Sequence, residues 1–94
     1  MDNNTQETLQ ILQEECAEVI QAISKIYRFG PDQCYGETDD TNMHKLQQEL
    51  GDVLVMIELL TNKGVGVSEV GLQEAKIKKF AKLRQWSNLV IKGD

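Results

Sequence analysis

The sequence predicts an all-α protein. Three long stretches carry apolar residues at helical spacing, alternating strand-like patterns are nearly absent, and glycine and proline fall between the stretches. Ninety-four residues allow one domain, 1–94, whose small core oligomerisation would complete.

The first helix is expected from Asn4, which with Glu7 has capping-box spacing. Leu9, Leu12, Cys16, Val19, Ile20, Ile23 and Tyr27 then form one apolar face. Gly30-Pro31 ends it, because Pro31 lacks a donor and disfavours helix just before it. Residues 30–41, with Gly36 and the acids Asp32, Glu37, Asp39 and Asp40, read as a loop. Such length between helices is often functional. The second helix begins near Thr41 or Asn42 and carries the stripe Met43, Leu46, Leu50, Val53, Leu54, Ile57 and Leu60. Gly64 and Gly66 break it, and Ser68 caps a third helix reaching Trp86 or beyond. That helix has two stripes, Leu72/Ala75/Leu83/Trp86 and Val70/Ile77/Ala81, as expected of a helix buried between neighbours.

Composition narrows the function. Fifteen acids against ten bases give a net charge of −5, which argues against a general nucleic-acid binder. The longest apolar run, Val53 to Ile57, is far short of the roughly 20 residues that span a bilayer. A polar N-terminus and only two cysteines point to the cytoplasm, with no membrane partner. The net charge also hides a division. Residues 1–58 hold twelve acids and three bases, a balance of −9, and residues 59–94 hold three acids and seven bases, a balance of +4.

The acids are patterned. Glu14-Glu15-Cys16-Ala17-Glu18 lies on the first helix and Glu49-Leu50-Gly51-Asp52 on the second. At helical pitch, Glu15 and Glu18 fall about 85° and 145° from the centre of their stripe. Glu49 and Asp52 fall about 80° and 140° from theirs, in the same rotational sense. An antiparallel hairpin would therefore bring all four to one side of the helix pair. Ile11, Ala22, Met56 and Leu59 flank them, giving a partly apolar recess. Carboxylates gathered there need cations, and an all-oxygen set favours Mg²⁺ or Mn²⁺. A Glu-Glu-x-x-Glu motif alone is weak; the second motif at matching angles strengthens it. No zinc spacing links Cys16, Cys34 and His44, and no nucleophile elbow or phosphate-binding glycine loop is present.

Glu14-Glu15-x-x-Glu18 followed by Glu49-x-x-Asp52 resembles the signature of the MazG-like all-α nucleoside triphosphate pyrophosphohydrolases, related to the dimeric dUTPases and phosphoribosyl-ATP pyrophosphohydrolases. Arg28-Phe29-Gly30, Asn42, Leu46 and Glu49-Leu50-Gly51-Asp52 look most like compact phage-type members. The 30 residues between Glu18 and Glu49 make a slightly longer spacer than is usual. The resemblance implies a helical bundle completed as a homodimer or homotetramer, with the site near the interface. It implies Mg²⁺ on Glu15, Glu18, Glu49 and Asp52, with Glu14 as a catalytic neighbour. It implies cleavage of a (d)NTP, for instance (d)GTP, to monophosphate and pyrophosphate. Lys79, then Lys76, Lys82 and Arg84, match the family's phosphate-binding segment, and Arg28 and Asn42 are candidate nucleotide contacts. The alternatives are action on dUTP or phosphoribosyl-ATP, or a silent helical interaction module whose acids are a solvated face.

Overall fold

A computed structural model describes residues 1–34 and 36–89, so the last residues of the expected 1–94 domain lie outside the described residues. It contains three helices, α1 (Asn3–Phe29), α2 (Asn42–Thr61) and α3 (Glu69–Trp86). Among the described residues there is no strand, only an isolated antiparallel bridge between Cys34 and Thr41.

The helix ends follow local chemistry. Asp2, not Asn4, caps α1: its Oδ1 accepts the Thr5 N–H at 2.6 Å. A carboxylate suits the positive end of a helix better than a neutral amide. Hydrogen bonds from the Thr5 backbone and side chain hold the Asp2 carboxyl below its usual range. Gly30, at φ 93°, ends α1 in a conformation that side chains other than glycine rarely adopt, and its N–H returns to the Ile26 carbonyl. Thr41 caps α2 by accepting the His44 N–H, and Ser68 caps α3 by accepting the Gly71 N–H.

α1 and α2 form an antiparallel hairpin. Thr5, Thr8, Leu12, Glu15, Val19, Ala22 and Ile26 recur three and four residues apart on α1, and every one is buried or half-buried. Asn42, Leu46, Glu49, Val53, Met56 and Leu60 do the same on α2. This 3.5-residue period is that of a coiled-coil seam. The register is set by a hydrogen bond from Lys63 to Asn4 at one end and by the Glu15–Asp52 contact near the middle.

The seam takes only part of the apolar stripe that periodicity singles out, namely Leu12, Val19, Leu46, Val53 and Leu60. Ile20, Tyr27 and Leu54 are 68%, 87% and 66% exposed, and Cys16 is exposed too. To that part of the stripe the seam adds Thr5, Thr8, Ala22 and Asn42, all buried. The two-sided helix α3 also departs from expectation: none of its residues is buried, and it does not pack along the hairpin. The chain is consequently open. Its radius of gyration is 16.2 Å, against about 12 Å for a compact domain of this length. It exposes 7501 Å², where a compact monomer of this mass would expose about 5,500 Å².

Candidate metal centre

Midway along the hairpin the seam turns acidic. Glu15 from α1 and Glu49 and Asp52 from α2 each direct a carboxylate oxygen to a common point, all within 4.8 Å of one another. Glu49 and Asp52 share a face because they are three residues apart on one helix. Glu15 meets Asp52 because the antiparallel register sets them opposite one another.

The burial of these groups is graded. Glu49 is buried, Glu15 half-buried and Asp52 exposed. A buried carboxylate needs a partner, and Lys45, one turn earlier on α2, supplies it with Nζ 2.8 Å from the Glu49 Oε1. Loss of water raises the Glu15 carboxyl above the usual range, and the charges of Asp52 and Glu49, a hydrogen bond with Asp52 and the charge of Glu18 push it further. Carboxyl groups crowded in this way are relieved by a bound cation. Three oxygen donors with one open, solvent-facing side fit a hard divalent ion that keeps water ligands.

The remaining candidates are placed differently. Glu18 is exposed one turn beyond Glu15, close enough to act on its charge, but its oxygens are not in the triad. Glu14 is exposed on the outer side of α1. Arg28 stacks over the Phe29 ring at 5.0 Å, about 20 Å along α1 from Glu15 at 1.5 Å per residue. Asn42 is buried and its Nδ2 donates to the Gly30 carbonyl, tying the 30–41 loop to the start of α2. Lys76, Lys79, Lys82 and Arg84 are exposed on α3, which does not pack along its own hairpin. Lys45 has a legible signal that charge counting alone misses, a lysine exactly one turn before an acid.

A family model for the MazG nucleotide pyrophosphohydrolase domain matches residues 3–90. A helical hairpin carrying paired acids across its seam is thus matched over nearly its whole length, and the chain belongs to the MazG family. Activity in this family is nucleotide pyrophosphohydrolysis and is generally dependent on a divalent metal. No curated protein and no solved structure matches the chain. No helix among the described residues is long and apolar enough to cross a membrane.

Proposed function

We propose that this protein is a Mg²⁺-dependent nucleoside triphosphate pyrophosphohydrolase that cleaves a (d)NTP to (d)NMP and pyrophosphate. The observation that carries this reading is the convergence of Glu15, Glu49 and Asp52 on one point. Glu15, Glu49 and Asp52 would hold the ion, with Glu18 joining from the next turn. When bound, the ion would supply a counter-charge for phosphate oxygens and a water of lowered pKa. Lys45 holds the Glu49 carboxylate in place and neutralises part of the cluster, so a polyanion meets less repulsion. Glu14, next to Glu15 in the chain, would be a catalytic neighbour of the ligands, as a base that orients water.

The reading includes a homodimer or a tetramer made of two dimers. The surplus exposed area is about 2,000 Å², in the range an obligate interface buries per protomer. In this assembly the basic face of α3, with Lys79, Lys76, Lys82 and Arg84, would lie over the carboxylates of a second copy and receive the phosphates. The test is turnover of a panel of NTPs and dNTPs by the purified protein with Mg²⁺. Monophosphate and pyrophosphate are expected in equal amounts, and Glu18→Ala or Asp52→Ala should abolish both. Release of orthophosphate alone, or no turnover of any nucleotide, would contradict the proposal.

A further inference from the structure

Lys45 stands where helix energetics disfavour a lysine. It is the fourth residue of α2, in the first turn, at the end where the helix dipole is positive and repels a cation. Its pairing with Glu49 also runs in the weaker order, lysine before acid. Yet its Nζ lies 2.8 Å from the Glu49 Oε1, on a side chain only 7% exposed, while the Lys45 side chain is 38% exposed. Lys45, Glu49 and Asp52, four and then three residues apart, follow one face of α2. The ammonium therefore stands at one edge of the carboxylate cluster.

This placement acts through charge. Glu15, Glu49 and Asp52 carry a formal −3, and Lys45 reduces it to −2. A divalent ion brings the centre to zero with the lysine present, and only to −1 without it. Lys45 thus works in opposite directions on two kinds of ligand. A free divalent ion is disfavoured, because two cations would share the Glu49 carboxylate. A +1 and a +2 charge about 6 Å apart cost about tenfold in affinity even in bulk water. A polyphosphate arriving with the ion is favoured, because its own negative charge meets a neutral centre with an ammonium at the edge.

We infer that Lys45 makes the centre select a divalent ion that arrives bound to a polyphosphate over the free ion. The inference rests on the pyrophosphohydrolase reading for the polyphosphate. Lys45 is a specificity-determining residue that acts through its charge beside Glu49. A lysine whose work was only to fix the Glu49 carboxylate would support both ligands alike, and its loss would weaken both.

The experiment compares, by calorimetry, binding of MnCl₂ alone with binding of preformed Mn–pyrophosphate, which needs no turnover. The proteins are the wild type, Lys45→Met, Lys45→Gln, Lys45→Arg and Lys25→Met. The last removes the same charge from α1, seven residues or about 10 Å beyond Glu18. The wild type should bind the complex at least about tenfold tighter than the free ion. Lys45→Met should bind the free ion about tenfold tighter than the wild type does, and the complex more weakly. Lys45→Gln should repeat that result, while Lys45→Arg and Lys25→Met should match the wild type. Free-ion affinity that is unchanged or lower in both neutral variants overturns the inference, as does a preference for the complex that survives in them. A wild type that binds the free ion as tightly as the complex overturns it too. If no triphosphate is cleaved but the Lys45-dependent preference is found, the inference stands and the catalytic reading falls. Cleavage without that preference keeps the catalytic reading and overturns the inference.

Discussion

Two residues at the centre have opposite electrostatic fates. Glu49 is buried with a lysine on it, whereas Glu15 is half-buried among acids. Because the Glu15 value is raised on folding, the sign of its pH effect is set. Its contribution to stability is complete below the ordinary carboxylate range and is lost as pH rises through the raised folded-state value. Thermal melts in EDTA should therefore show a melting temperature that falls with rising pH through that window. Glu15→Gln should flatten the dependence. Lys45→Met should cost about 1–2 kcal/mol in EDTA, between the exposed and buried limits for an ion pair. Much of that loss should return when Mg²⁺ is added, because the cation replaces the missing charge on Glu49. Denaturant melts with and without Mg²⁺ read both effects.

At the scale of the elements, helix ends were more legible in the sequence than helix faces. Gly30-Pro31, Thr41 and Ser68 act locally, so their chemistry is written in a few neighbouring residues. Asp2 displaced Asn4 as the first cap because a carboxylate and an amide compete within two residues, a contest spacing alone does not decide. Thr41→Ala should lower stability by about 1 kcal/mol in a denaturant melt, the usual cost of a lost cap. The faces were harder. Periodicity ranks apolar residues by number and so selects Ile20, Ile23, Tyr27, Leu50 and Leu54. The hairpin seam keeps Leu12, Val19, Leu46, Val53 and Leu60 from those stripes and adds Thr5, Thr8, Ala22 and Asn42, residues that a hydropathy stripe passes over. The angular argument still placed Glu15, Glu49 and Asp52 together, since a rotation applied alike to both helices keeps their acids on the same side.

The whole molecule is where the isolated sequence says least about geometry. Its α3 segment reads as buried on two sides, yet a single chain provides nothing to bury it against. An assembly of copies would reconcile the two, covering Ile20, Tyr27, Leu54, Ile77 and Trp86, all exposed in one chain. Light scattering should give a dimer or tetramer. The placement of Lys79 can be read by mixing inactive chains. Glu49→Ala and Lys79→Ala proteins, unfolded and refolded together, should regain about a quarter of wild-type activity if a site draws its acids and its lysine from different copies of a dimer. No recovery would assign the lysine to its own chain.

The central claim, that the hairpin seam is a divalent metal centre, is tested most directly by titrating Mn²⁺ and following the free ion by electron paramagnetic resonance. Wild type should bind the ion saturably. Glu15→Gln, Glu49→Gln and Asp52→Asn should each weaken binding by at least about tenfold, and Glu58→Gln, an acid of α2 outside the triad, should leave it unchanged. Binding that survives in Glu49→Gln, or that falls equally in Glu58→Gln, would contradict the claim.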